Sequence, residues 1–175
     1  MIRQQAFIEK NKMLKGALHN HTTRSDGAMA PEEVIRLFKE NGYDFMALTD
    51  HRVYNFKDYA PETGMTIIPG MEFDNGGSMK CEKGGFRCFH TVCLGPAKEE
   101  GNDFVQDEKL DSAVAKNQEE YQPYLDKIHA NKNLTMYCHP EWSFTPARYF
   151  ENMKGNFAME IWNRKELNIY ARKQN

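Results

Sequence analysis

His19 and His21 stand two residues apart, directly after a short apolar run, Gly16-Ala17-Leu18. On an extended backbone that spacing turns both imidazoles to one side, where a single divalent cation can take a nitrogen from each. Other apolar runs carry the same kind of side chain. Asp50 and His51 follow the run 44–49, Glu72 follows 65–68 and Pro69-Gly70, His90 lies within 86–94, and His139 ends 134–138. Five of the six histidines thus sit in or at the end of a predicted strand, and only His129 falls in a helical stretch. Imidazole and carboxylate together suit zinc, manganese or iron, and the donors outnumber what one tetrahedral ion takes. Two or three divalent ions are therefore expected, with Glu72 bridging two. Such ions, typically about 3.5–4 Å apart, clamp a phosphate and activate a water for in-line displacement.

Ordinary roles compete for each of these residues. His129 reads as a hydrogen-bonded histidine of no special function, and a half-buried strand histidine such as His90 is open between ligand and packing. Glu72 could be a turn carboxylate, Asp50 a helix cap, and Asp26 in Ser25-Asp26-Gly27 a turn residue. Cys138, inside an apolar strand, reads as a small buried side chain. Arg24, Arg52 and Arg148 lie near strand ends and are candidates for bidentate phosphate binding, though solvated arginines are commoner. Trp142 and Phe144 follow His139 in a loop and are candidate substrate contacts.

The elements that must position these groups alternate in type. Ala30-Pro31-Glu32-Glu33 starts a helix, Val34, Ile35 and Phe38 share its apolar face, and Gly42 stands at its left-handed end. Strands are expected at 16–18, 44–49, 65–68, 86–94, 134–138 and 157–162, the third and fourth pairing as a hairpin across Asn75-Gly76-Gly77 and Gly84-Gly85. Leu110, Val114, Tyr121, Leu125 and Ile128 predict a long helix over 110–129, interrupted at Pro123. A short helix is expected at 147–153 and a helical tail from Arg164. Parallel strands with crossover helices would close as a barrel, whose strand ends converge on one face.

Composition limits the rest. The 175 residues read as one domain spanning 1–175, and a net charge of -2, from 23 Lys and Arg against 25 Asp and Glu, gives no general attraction to long nucleic acids. A charged fraction of 27% and a mean hydropathy of -0.76 argue against a membrane protein. The first fifteen residues do not resemble a signal peptide, so a cytoplasmic location is expected, with Cys81, Cys88, Cys93 and Cys138 reduced and a Cys81–Cys88 bridge as the minor alternative.

The motifs resemble those of the PHP (polymerase and histidinol phosphatase) family. Leu18-His19-Asn20-His21-Thr22-Thr23-Arg24-Ser25-Asp26-Gly27 is similar to its first motif and Ala47-Leu48-Thr49-Asp50-His51 to its second. Pro69-Gly70-Met71-Glu72-Phe73 resembles the bridging-glutamate segment, and Cys138-His139-Pro140 the third histidine motif. The resemblance implies a distorted (β/α)7 TIM-like barrel that hydrolyses phosphate esters at a two- or three-metal site of manganese, zinc or iron. It assigns His19, His21 and Glu72 to one ion, Glu72, His90 and His139 to a second, and Asp26 and His51 to a third. It also places Asn163 at the edge of the site.

The family's last-strand D-x-H motif has no counterpart, since the sequence holds no histidine after His139 and no aspartate after Asp126. The expectation is an incomplete, C-terminally truncated barrel whose open edge a second copy of the chain would cover. The expected activity is a metal-dependent phosphoesterase with Asp50, His51 and Glu72 catalytic and Arg24, Arg52, Arg148 and Trp142 binding a small phosphate ester or nucleotide. The alternatives are a non-catalytic metal- or phosphate-binding module and a metal-dependent amide or lactone hydrolase.

Overall fold

In a computed structural model that describes residues 13–76, 79–80, 86–87, 89–97, 102–143 and 145–163, the first three strands lie side by side. Gly16–Ala17 (β1), Phe45–Ala47 (β2) and Thr66–Ile68 (β3) form a parallel sheet in that order. Pro31–Glu40 (α1) is the crossover from β1 to β2. Pro31 opens it with a preset φ, and the Glu33 carboxylate accepts the Ala30 N–H at 2.9 Å. Val34 and Ile35 bury against Met46, Leu48, Ala60 and Met65, at about 1.5–3 kcal/mol for each such side chain. Gly42, at φ 76°, turns the chain back toward β2 without the steric cost a side chain would incur.

The second sheet is mixed. Its order is Gly70–Asp74 (β4), His90–Leu94 (β7), Leu134–Tyr137 (β8) and Asn156–Met159 (β9). β4 and β7 are antiparallel, as are β7 and β8, while β8 and β9 are parallel. Met79–Lys80 (β5) and Phe86–Arg87 (β6) form a separate two-stranded ribbon. The described residues therefore do not make a closed parallel barrel. The expected hairpin exists, but its first arm is β4, the segment after the predicted third strand, so Glu72 lies within a strand and not after one.

The sheets are joined by bridges from His51 to Glu72 and from Asn55 to Gly70. Between them Ala47, Val92, Leu94 and Cys138 are buried together, with Leu18, Ile68 and Met136 packed against them. Gln118–Ala130 (α2) covers the outer face of β4, β7 and β8, placing Tyr121, Leu125 and Ile128 against Phe73, Phe89 and Tyr137. Among the described residues no helix is long and apolar enough to cross a membrane.

The predicted helix over 110–129 forms only in its second half. The Asn75 side chain accepts Ala115 N–H at 2.9 Å and donates to Ala115 O at 2.7 Å, holding the preceding segment extended beside the end of β4. Val114 is left 71% exposed, so the apparent periodicity there marks no buried face. α2 starts where the Asn117 side chain accepts Glu120 N–H. Pro123 does not interrupt it, because Pro123 and Glu119, whose carbonyl loses its partner, both face solvent. The expected helix at 147–153 is a single 3-10 turn at Ala147–Tyr149. Cys93 and Cys138 are buried free thiols; Cys81, Cys88, Phe144 and the expected helical tail lie outside the described residues.

Candidate metal centre

Asn20 fixes the segment that carries the first two histidines. Its side-chain amide donates to Ala17 O and Ala47 O, at the ends of β1 and β2, and its backbone N–H donates to Thr49 Oγ1. Beyond it, Thr22 N–H, Thr22 Oγ1 and Ser25 Oγ all donate to the fully buried Asp50 carboxylate, at 2.7 to 2.8 Å. Gly27 closes this loop against the backbone of His21 and Thr22, where an added Cβ would lie 2.3 Å from His21 O. The sequence places Asp50 next to His51, but its oxygens hold the loop and not the histidine cluster. Asp50 is thus a positioning residue in this structure.

Glu72 is the hub. Its carboxylate is 1% exposed. One oxygen, Oε2, lies 3.1 Å from His19 Nε2, 2.9 Å from His21 Nε2 and 3.6 Å from His51 Nδ1. The other, Oε1, lies 2.8 Å from His90 Nδ1 and 3.0 Å from His139 Nε2. His90 reaches it because β7 runs antiparallel to both neighbours, so its first residue stands at the sheet end where β8 finishes.

Three further carboxylates lie behind the imidazoles. Asp26 is 3.2 Å from His21 Nδ1 and 3.7 Å from His51 Nε2. Asp74 is 3.3 Å from His51 Nδ1 and 3.1 Å from Arg52 Nε, and it accepts from Ser112 Oγ. Glu160 is 3.5 Å from His19 Nδ1 and accepts His139 N–H, with Asn163 donating to its other oxygen. On His19 and His21 the second carboxylate stands on the nitrogen away from Glu72, the usual means of orienting a ligating imidazole, whereas Asp74 shares His51 Nδ1 with Glu72. Asp74 and Glu160 were not among the residues singled out from sequence. Asp74 had a signal, since it shares the face of β4 with Glu72 at a spacing of two; Glu160 had only its place within the last predicted strand.

The donor set fits a metal ion better than it fits itself. His19 Nε2 and His21 Nε2 are 3.2 Å apart while both approach Glu72 Oε2. If both nitrogens carried protons toward the oxygen, the two N–H groups would oppose each other. A cation removes that conflict. The centre of the triangle formed by these three atoms is about 1.8 Å from each corner, close to the 2.0–2.2 Å at which nitrogen and carboxylate oxygen bind zinc. His139 Nδ1 is buried with no hydrogen-bond partner. Two groups of donors lie close enough to share an ion: His21, His51 and Glu72, and His19, Glu72, Cys138 and His139.

Burial opposes the charge on Glu72, yet the surrounding imidazoles, His139 and His19 foremost, hold its carboxyl well below the usual range. Burial also works against charging His19, but Glu160 and Glu72 outweigh it and raise the imidazole to about 9. His51 is raised likewise, burial being overcome by Asp74 and Glu72. The His19 contribution to stability is full below its ordinary value of 6.5 and fades as pH rises through about 9. That of Glu72 is present above 4.5 and lost as pH falls. The metal-free chain is therefore expected to melt highest between these two values and progressively lower toward pH 9. Calorimetry in chelator checks this, and a flat profile from 6.5 to 9 would refute it.

The other predicted residues divide. Trp142 borders the centre, its ring centroid 4.7 Å from that of His139 and 6.1 Å from that of His90. Arg24 is turned to Asn55 and Asp107, Arg52 to Asp74, and Arg148 stacks on Tyr149. His129 lies apart, paired with Thr135 Oγ1.

Residues 17–163 match the family model described as PHP domain. A stretch of 41 residues is 46% identical to the DNA polymerase/3'-5' exonuclease PolX of Bacillus subtilis (strain 168), covering 23% of this chain and 7% of that protein. The fold is similar to that of a protein of Bifidobacterium adolescentis ATCC 15703 bearing the inferred name metal-dependent phosphoesterase, with a TM-score of 0.51 and 15% identity over 91% of this chain and 84% of the other. A two-domain protein of Bacteroides vulgatus ATCC 8482, named for an inferred PHP-like metal-dependent phosphoesterase, aligns with a TM-score of 0.45 and 18% identity over 91% of this chain and 42% of its own.

Proposed function

The chain belongs to the PHP domain family, and from that premise we propose that it is a metal-dependent phosphoesterase acting on a small phosphate monoester or nucleotide. The observation that carries the reading is the fork of Glu72, with His19 and His21 gathered at one oxygen and His90 and His139 at the other. On this reading His19, His21 and Glu72 would hold one divalent ion and His90, His139 and Glu72 a second, with Asp26 and His51 available to a third. Manganese, zinc or iron bound there would supply Lewis acidity and an activated water. The two sheets, bridged through His51 and Asn55, would then be parts of an incomplete, distorted barrel that acts as one domain.

The chain's own groups do the rest. Glu160 and Asp26 keep the imidazoles of His19 and His21 turned toward Glu72. Where no third ion claims it, His51, whose pKa Asp74 and Glu72 raise against burial, is placed to pass a proton to the leaving oxygen. Trp142 walls the second histidine pair, which favours a compact substrate. A net charge of -2 supports a small substrate over a long nucleic acid.

Elemental analysis of the purified chain after loading with manganese, zinc or iron, beside assays on phosphate-ester, amide and lactone substrates, tests the reading. Two or more equivalents with chelator-sensitive phosphate release are expected, and His21→Ala should lose both metal and turnover. Near-zero uptake after loading would refute it. Metal uptake without hydrolysis would make the chain a binding module, and turnover confined to the amide or lactone would move it to another class of hydrolase.

A further inference from the structure

Asp74 meets two consecutive side chains, those of His51 and Arg52. Neighbours on an extended chain point to opposite sides, and here a left-handed turn, with Arg52 at φ 62°, brings both to one carboxylate. Two hydrogen bonds hold that turn: Arg52 N–H donates to Glu72 O at 2.8 Å, and Arg52 O accepts Leu110 N–H at 2.9 Å.

The two oxygens of Asp74 are used differently. Oδ1 accepts the Ser112 hydroxyl at 2.7 Å and lies 3.1 Å from Arg52 Nε. Ser112 Oγ itself accepts Gly76 N–H at 2.6 Å, so its one proton is free for that oxygen. Oδ2 lies 3.3 Å from His51 Nδ1, a buried nitrogen given no other hydrogen bond among the described residues. Glu72 Oε2 is farther from this nitrogen, at 3.6 Å, and is already approached by His19 and His21. Across the ring, Nε2 stands 3.7 Å from the exposed Asp26 carboxylate. If the proton of the neutral ring sat on Nε2, the Nδ1 lone pair would face two carboxylate oxygens, which repel it.

We propose that Asp74, anchored by Ser112 and Arg52, is the positioning residue that fixes the proton of neutral His51 on Nδ1 and leaves Nε2 as the working atom. The catalytic consequence rests on the phosphoesterase reading above and deepens it. Nε2 then presents its lone pair toward Asp26, for an ion or for the second proton that the leaving oxygen takes.

Long-range proton–nitrogen NMR spectra of the full chain, labelled with nitrogen-15 at histidine, freed of metal and held alkaline enough to keep the ring neutral, read which nitrogen carries the proton. The His51 signals are those missing from His51→Gln. In the parent chain the proton is expected on Nδ1. Asp74→Asn keeps the shape, but Ser112 and Arg52 claim its carbonyl oxygen and turn its NH2 toward His51, so the proton should move to Nε2. Asp74→Ala should give a mixture, which covers a folding defect peculiar to asparagine. After loading, Asp74→Asn should keep at least two equivalents of metal and lower kcat by about 10–100-fold with KM little changed. A proton on Nε2 or shared between the nitrogens in the parent chain, one that stays on Nδ1 in Asp74→Asn, or unchanged turnover after it has moved would overturn the proposal and leave the metal centre standing. No turnover in the loaded parent chain would overturn the phosphoesterase reading and not the placement of the proton, which is read without metal.

Discussion

Glu72→Gln is expected to empty both histidine pairs of metal and to cut phosphate-ester hydrolysis by about a thousandfold or more. Each ion contributes several kcal/mol of charge stabilisation in such reactions, and each 1.4 kcal/mol is tenfold in rate. The substitution preserves shape and removes the charge. The amide also turns a donor NH2 toward imidazoles that at present all approach an acceptor, so one of the two pairs meets a donor where it needs an oxygen. With the charge gone, the principal support for protonated His19 falls to Glu160 alone. Elemental analysis and turnover of the loaded variant measure the effect together. A full complement of metal in Glu72→Gln would show that the histidines gather for some other reason.

The largest effect on stability is expected at Asp50. Asp50→Ala leaves Thr22 N–H and two hydroxyls without their acceptor in a buried setting. A deserted buried donor costs about 1–3 kcal/mol, and the variant should lose about 3 kcal/mol in urea denaturation followed in chelator. Asp50→Asn keeps one oxygen for Thr22 N–H and should lose about half as much. Because the same loop carries Asp26 and abuts His21, metal affinity should also weaken in Asp50→Ala. A loss below about 0.5 kcal/mol would mean that the loop holds its shape without this carboxylate.

Most of the centre was legible because its residues recur at the ends of apolar runs. His19 and His21 needed only the two-residue repeat of extended chain, and the rings do meet, at 5.2 Å between centroids. Periodicity could not give strand direction. His90 looked like a mid-strand residue within 86–94, yet β7 begins at His90, and its antiparallel course is set by pairing with β4 and β8, which no local pattern records. The segment before α2 failed for the same cause: Leu110 and Val114 fit a helical repeat, but Asn75 pairs with that stretch across 40 residues. Asp74 was overlooked although Glu72 and β-strand alternation already pointed to it. The mixed second sheet, against the expected all-parallel barrel, comes from β7 pairing antiparallel with both β4 and β8.

That hairpin decides which kinds of change the chain can survive over evolutionary time. Five consecutive pairs, from Gly70 with Leu94 to Asp74 with His90, lock β4 to β7. Adding or deleting one residue within either arm would turn every later side chain to the opposite face, so Glu72 would leave its histidines all at once. Just beyond the arms, Asn75 is tied to Ala115 and Phe89 is buried in the core. Lineages descended from this chain can therefore substitute residues in the arms but not insert or delete them.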